Sequence, residues 1–347
     1  MFSSGFKAAQ ITPLLKKTGL DTNLPVNYRP ISNLNNISKL LDRLFLTRIQ
    51  NHVTSCPNFN PNQSAYRQHH STETSLLATA DNILNSIDQG NSTLLVSLDM
   101  SSAFDIIDHN ILLDRLHTSF GVSHIALNWI SSYLHDRSQF GIGNKRSTST
   151  ACCTGVPQES VHGPILFTTY ISPIALIANN HNVGQQQYTV DTQLHISLSL
   201  NSSSKLHDLE NWLLSLHSWF AQNGLALNDK SDAVLFGSRH STKSLSVISH
   251  VDVAGTLDPI SNRVKLLGII VDRYMTLDKH VNEICRSAYF HTRALWHVRN
   301  AISDDTAKTV AQALVSSRFD TRTQFYMALP STISLNCSEH RTSLHES

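Results

Sequence analysis

A helix that runs straight into a buried strand constrains this chain more than any other feature. In "STETSLLATADNILNSIDQG", residues 71–90, Ser71 suits an N-cap and Gly90 ends the run. Between them Leu76, Leu77, Ala80, Ile83, Leu84 and Ile87 recur at helical spacing. "STLLVSLDM", residues 92–100, follows at once and reads as a short, largely apolar strand of the buried kind. It delivers one carboxylate, Asp99, at its C-terminal end.

The rest of the chain alternates helix and strand without a regular βαβ period, which favours an α+β class over a doubly wound sheet. "ISKLLDRLFLTRIQNHV" places Ile37, Leu40, Leu41, Leu44, Phe45 and Ile49 on one helical face. "HNILLDRLHTSF" and "HIALNWISSYLHDR" read as helices, and "SQFGIGNKRSTST" as a hairpin turning near Gly143-Asn144. Residues 185–198 alternate and read as a strand pair with its turn near Val190-Asp191. After a helix around "DLENWLLSLHSWFAQNG", "AVLFGS" and "KLLGIIVD" read as two short strands. From about 277 the chain is helical until "LPSTISLNCSEHRTSLHES", a polar tail expected to fray. "PILFTTYISPIALIA" is broken by Thr, Tyr, Ser and Pro, so it reads as a buried helix and not a membrane span.

Composition narrows the functional classes. At 347 residues, 40% of them hydrophobic, the chain can bury the core of one large or two ordinary domains and is not a disordered segment. A net charge of +1 conceals an uneven distribution. Residues 1–50 hold 7 Lys/Arg against 2 Asp, residues 51–260 hold 9 against 16 acids, and residues 261–330 hold 10 against 6. Basic flanks around an acidic middle suit phosphate contacts at the edges and a metal-binding centre; chance clustering of solvated charges has equal standing on this evidence alone. The five cysteines (Cys56, Cys152, Cys153, Cys285, Cys337) are odd in number and lack CxxC spacing, which fits a reducing compartment. The N-terminus does not have the form of a signal peptide, so an intracellular protein of the cytoplasm or nucleus is expected. The nineteen histidines are scattered and suggest no metal site.

Three stretches carry candidate chemistry. In "SLDMSSAFDIIDH" an Asp at a strand end suits a hard cation, and burial of Asp99 in the strand would make it costly unless used. Asp105 and Asp108 would share a helical face if residues 104–109 begin a helix; the preferred reading makes them N-terminal carboxylates that complement the helix dipole. "GVPQESVHGP" is a constrained loop that presents backbone N–H groups and Gln158. Asp191, at a hairpin tip, reads on its own as a turn residue.

The order of these stretches resembles the reverse transcriptases of non-LTR (LINE-type) retrotransposons, especially the jockey, CR1 and L2 groups. "FKAAQITPLLKK", "NYRPISNLNNISKLLDRL", "NQSAYRQHHSTETSLL", "LDMSSAFDIIDH", "GVPQESVHGPILF", "YTVDTQL", "LALNDKSDAVLFG", "LLGIIVD" and "SSRFDTRTQFYMALP" follow the family's sequence of motifs from about residue 6 to about residue 330. The resemblance implies a right-hand polymerase fold with a small antiparallel palm sheet. It implies a reverse transcriptase domain over 1–273, fingers-like to 92 and palm-like from 93, with a truncated thumb-like region at 274–347. It also implies an RNA template, a DNA primer, dNTP and two Mg²⁺ ions, and no membrane.

By the same pattern Asp99 and Asp191 would be catalytic metal ligands, with the Met100 carbonyl beside Asp99. Phe104 matches the steric gate against a ribose 2′-hydroxyl. Arg67 matches the arginine that holds the triphosphate, Gln158 lines the dNTP pocket, Lys230 approaches the leaving phosphates, and "LLGIIVD" resembles the primer grip. Three departures surround this site: Val190 stands where the family has the first Asp of a pair, Glu159 where it has Gly, and His162 where it has Leu. Ala65 likewise replaces a glycine. Valine offers no oxygen to a hard cation, so an impaired catalyst is expected. A non-catalytic RNA or RNA–DNA hybrid binding module is the alternative.

Overall fold

The Ser71 cap predicted from sequence exists: its hydroxyl accepts from the Thr74 N–H, and the Thr74 hydroxyl reciprocates at the Ser71 N–H in a capping box. The computed structural model describes residues 1–100, 103–141, 146–181, 183–199, 203–227, 231–245, 248–253 and 255–317. In chain order the elements begin β1 (Ala8–Leu15), β2 (Tyr28–Asn33), α1 (Asn36–Thr54), α2 (Thr72–Asp88), β3 (Ser92–Leu98), α3 (His109–Thr118) and α4 (His124–Leu134). They continue β4 (Arg137–Gly141), β5 (Thr150–Cys152), α5 (Gly163–Ile171), α6 (Ile174–Asn180), β6 (Gly184–Tyr188), β7 (Asp191–Leu198) and α7 (Ser203–Gln222). The remainder is β8 (Asp232–Phe236), α8 (Arg239–Ser244), β9 (His250–Val253), β10 (Thr256–Ser261), β11 (Arg263–Leu266), β12 (Ile269–Asp272), α9 (Asp278–Val298) and α10 (Asp304–Ala311).

The chain forms two compact units, and each gathers separate segments. The first comprises residues 1–68, 99–192 and 211–229. Its sheet runs β2-β1-β4-β5, antiparallel except where β1 pairs parallel with β4. The β4–β5 pairing matches the expected hairpin, although its turn at Gly143-Asn144 is outside the described residues. Helix α3 packs on α4 and α5, burying Leu112, Leu116, Ile130, Phe167, Tyr170 and Ile171. The apolar stretch 164–178 is two helices broken at Pro173; the first is almost wholly buried, and the second buries Ile174, Ala175 and Ala178. No helix among the described residues is long and apolar enough to cross a membrane.

One sequence expectation reverses here. In α1 the stripe Ile37, Leu40, Leu41 and Leu44 points outward, while Ser38 and Asp42 are buried. Phe45 stacks on Trp129 with ring centroids 4.0 Å apart, and Ile49 is buried.

The second unit comprises residues 69–98, 193–210 and 230–347. Helix α2 packs its predicted stripe, Leu76, Ala80 and Ile83, against Leu95 of β3 and Val234 and Phe236 of β8. Strand β3 lies antiparallel to β8, which pairs parallel with β10, and β10 pairs antiparallel with β9. The sheet is therefore mixed, with one parallel pair among antiparallel neighbours. "KLLGIIVD" is not one strand: it turns at Leu267-Gly268 between β11 and β12, whose Val264, Leu266, Ile269 and Val271 join the same core. Helices α9 and α10 occupy the C-terminal third as expected; the polar tail and most of "SSRFDTRTQFYMALP" are outside the described residues.

Candidate functional site

β3 ends at Leu98, one residue before Asp99. Asp99 is exposed, so the expectation that it is buried within the strand is wrong: the ladder stops where β3 and β8 part, and the next residue turns to solvent. Met100 is buried and makes an isolated bridge to Leu227. The strand pair at 185–198 turns at Thr189-Val190, with Thr189 at φ 57°, so Asp191 is the first residue of β7 and not the hairpin tip. Burial raises the Asp191 carboxyl above the usual carboxylate range, and the charge of Asp99 adds to that shift. Two carboxylates distant in sequence, both in the first unit, are therefore near enough for the charge of one to act on the other. Like charges held this way are unfavourable unless a cation or a proton offsets them.

A buried amide network anchors this turn. The Gln63 side chain donates to the Thr189 carbonyl at 3.3 Å and accepts from the Thr189 N–H at 3.0 Å. Gln187 accepts from Asn60 Nδ2 at 2.9 Å and donates to the Thr192 hydroxyl at 2.9 Å. Gln63 and Gln187 are almost wholly buried, so each amide group needs these partners. Sequence reasoning missed Gln63. Its signal was a polar residue inside the matched stretch "NQSAYRQ", which no periodicity argument could mark as buried.

A second cluster of the expected residues is built on the loop 155–163. Gly155 has φ 79°, and a Cβ there would meet the Asp105 carbonyl at 2.6 Å, so only glycine fits. That closeness lets the Gly155 and Val156 N–H groups donate to the Ile107 and Phe104 carbonyls, each at 2.8 Å. Gln158 Nε2 then donates to both carboxylate oxygens of Asp105, at 3.1 and 2.9 Å. Burial raises the Asp105 carboxyl, and the bond from Gln158 opposes the shift. The preferred helix-dipole reading holds for Asp108, which caps α3 by accepting from Asn110 and Ile111. It fails for Asp105, because residues 103–105 form a turn and the helix starts only at His109. Phe104 packs against Phe167 with centroids 4.9 Å apart.

Arg67 is held on its own loop, its Nη1 donating to the Pro61 and Gln63 carbonyls at 2.8 and 3.2 Å. Lys230 is outside the described residues. Of the departures near the loops, Glu159 adopts φ 68°, a left-handed conformation that suits glycine. His162 is buried, 3.6 Å from the buried Asp42 and ringed by Phe45, Trp129 and Tyr133. Burial and the Asp42 charge push the Tyr133 hydroxyl up to about 12. Ala65 is buried and has no left-handed backbone; the strained position is its neighbour Tyr66, at φ 59°.

Residues 15–271 match the family model described as reverse transcriptase (RNA-dependent DNA polymerase). The chain is 26% identical over 313 residues to the probable RNA-directed DNA polymerase from transposon BS of Drosophila melanogaster, covering 88% of this chain and 34% of that protein. It is 25% identical over 292 residues to the RNA-directed DNA polymerase from mobile element jockey of the same fly, covering 82% and 31% respectively. It thus spans about a third of the length of these curated relatives. Among solved structures, apo telomerase from Candida tropicalis, truncated from its C-terminal domain, superposes with a TM-score of 0.52 at 13% identity, covering 80% of this chain and 55% of that one. The telomerase of the same yeast in complex with a fragment of telomeric RNA gives a TM-score of 0.52 at 11% identity, covering 93% and 54%. At such identities the likeness concerns the fold.

Proposed function

Because the chain belongs to the reverse transcriptase (RNA-dependent DNA polymerase) family, of the kind found in jockey-type non-LTR retrotransposons, and has its right-hand polymerase fold, we propose that it is a reverse-transcriptase-like protein whose catalysis is impaired at Val190. The ancestral reaction is the addition of dNTP to a DNA primer on an RNA template. The observation that carries this reading is the β6–β7 turn, where burial and then the charge of Asp99 raise Asp191 while its neighbour Val190 has no oxygen to contribute.

Mg²⁺ is the ion the family implies. Two carboxylates of which one, Asp191, is raised by burial and by the charge of the other fit a divalent cation; Asp99 and Asp191 would hold it, with the Met100 carbonyl beside Asp99. Among the described residues no three His, Cys, Asp or Glu side chains are grouped to hold a metal. When bound, the ion offsets charge that develops on phosphate oxygens. The chain's own residues supply the rest. Gln158, oriented by Asp105, would line the dNTP pocket, and Phe104, braced by Phe167, would exclude a 2′-hydroxyl. Arg67 would hold the triphosphate and Lys230 would approach the leaving phosphates. Glu159 sets a carboxylate one residue from Gln158, where it would repel that triphosphate. In this reading residues 1–92 are fingers, 93–273 palm and 274–347 a thumb-like region.

Primer extension on an RNA template with Mg²⁺ and then Mn²⁺ tests the proposal. The native protein is compared with Val190→Asp, with Val190→Asp plus Glu159→Gly, and with Asp99→Asn. Little or no extension by the native protein, restored in the double variant, is expected. Full native extension that Asp99→Asn abolishes would overturn the impairment.

A non-catalytic binding module is the second reading, and helix α9 favours it. Arg286, Tyr289, Phe290, Arg293 and Trp296 are all exposed along it, cations interleaved with rings that can stack on bases. Under that reading an RNA–DNA hybrid binds with affinity falling steeply as salt rises, and Trp296→Ala weakens it.

A further inference from the structure

Helix α1 faces the wrong way for its sequence. Its apolar stripe is open to solvent, with Ile37 56%, Leu40 58% and Leu44 56% exposed, while Ser38 and Asp42 are at 0%. The inward face is not a comfortable one. Neither the Ser38 hydroxyl nor either Asp42 carboxylate oxygen has a hydrogen-bond partner, and the nearest ion-pairing atom to Asp42 is His162 Nδ1 at 3.6 Å. Exposing leucines and burying polar atoms both cost free energy in the first half of the helix, while Phe45 on Trp129 and the buried Ile49 hold the second half inward. An arrangement doubly unfavourable in the isolated chain is explained when something else covers the stripe.

The spacing defines the shape of that partner. Positions 37, 40, 41 and 44 follow the i, i+3, i+4, i+7 pattern of a helix–helix seam. The seam is two turns long, because the same face continues as the polar, exposed Thr47, Arg48 and Asn51. Charge defines its chemistry. Arg43 and Arg48 are exposed and Lys39 is half-buried beside the seam, and none of them joins an ion pair found among the described residues. The one acid of α1, Asp42, is turned inward.

A second copy of this chain fits poorly, because it would oppose arginine to arginine. The stripe also offers only a few hundred Å² against the roughly 800 Å² per partner of a stable interface. Nucleic acid fits poorly as well, since the stripe is aliphatic and has no ring on which a base could stack.

We propose that the Ile37–Leu44 face of α1 is a docking surface for a short amphipathic helix of a partner protein, with an aliphatic seam flanked by Asp or Glu.

The test uses the whole chain and a fluorescent probe peptide, a helix-stapled 16-mer with leucines at i, i+3, i+4 and i+7 and glutamates on both flanks; a second peptide carries lysines instead. Fluorescence anisotropy should show saturable binding of the glutamate peptide, with the lysine peptide about tenfold weaker, the worth of two or three exposed charge pairs. Leu40→Gln with Leu44→Gln should abolish binding while leaving the circular dichroism melt unchanged, since both side chains are exposed. Arg43→Glu with Arg48→Glu should invert the preference. Equal binding of both peptides, or of neither, overturns the proposal. So does co-sedimentation with phosphatidylcholine–phosphatidylserine vesicles, or a dimer in analytical ultracentrifugation, that disappears in the leucine variants.

Discussion

Replacing Val190 by aspartate sets a third carboxylate beside Asp191, whose carboxyl burial and Asp99 already raise. Two carboxylates on the order of 5 Å apart repel by roughly 1 kcal/mol at a dielectric of ~80 and roughly 3 kcal/mol at ~20. Val190 is half-buried, so a loss of about 2 kcal/mol is expected when no divalent ion is present. A cation that binds the folded site a hundredfold above its dissociation constant returns about 2.7 kcal/mol. Urea unfolding followed by tryptophan fluorescence, in EDTA and then in Mg²⁺ at low salt, measures both terms. Val190→Asp should unfold at lower urea than the native protein in EDTA and gain more from Mg²⁺. Val190→Asn, which lacks the charge, controls for lost valine packing. The sign of the pH dependence follows from the same pair. The folded pKa of Asp191 lies above the unfolded value of 3.8, so stability falls as pH rises through that window, and Asp191→Asn should stabilise the metal-free protein at neutral pH. If the Asp and Asn variants at position 190 unfold together in EDTA and Mg²⁺ moves neither, the carboxylates do not converge and the argument for the site fails.

Glu159→Gly should stabilise the protein by about 1 kcal/mol, because it removes a Cβ at φ 68°, whereas Glu159→Ala should not; equal midpoints for the two would assign the cost to charge. Burial holds the His195 imidazole down at about 4, below the 6.5 of an unburied ring. Its contribution is complete above about pH 6.5 and is lost as pH falls towards 4, roughly 3 kcal/mol in all, so His195→Leu should flatten denaturation curves across that range and an unchanged slope would refute the assignment. His162→Leu should cost about 2 kcal/mol by removing the imidazole that stands 3.6 Å from the buried Asp42, and adding Asp42→Leu should recover most of the loss. Strict additivity of the two substitutions in a double-mutant cycle would show that they do not interact.

Elements whose pattern agrees with their packing were legible in the sequence. The stripe of α2, its Ser71 cap and the buried strand β3 were all read from spacing, because one face of that helix packs on Leu95 of the strand in a single core and Leu94, Val96 and Leu98 are buried as well. Gly155 was legible as a constraint, though not the carbonyl of Asp105 that makes it one. Elsewhere the sequence misled. Periodicity marks which residues of α1 share a face but not the direction of that face, which His162 and Trp129, far along the chain, decide by packing against Asp42 and Phe45. Asp105 looked like Asp108 until the Gly155 approach bound the first to Gln158 and left the second to cap α3. "KLLGIIVD" reads as one strand because a hairpin turn at Leu267-Gly268 interrupts its hydrophobicity only by a single glycine.

The family and its departures were fixed by residue identity alone, since Val190 is a valine whatever surrounds it. The electrostatics of Asp191, the exposure of Asp99 and the outward stripe of α1 were decided by tertiary structure. Burial and like-charge repulsion depend on distances between segments that the order of residues does not encode locally.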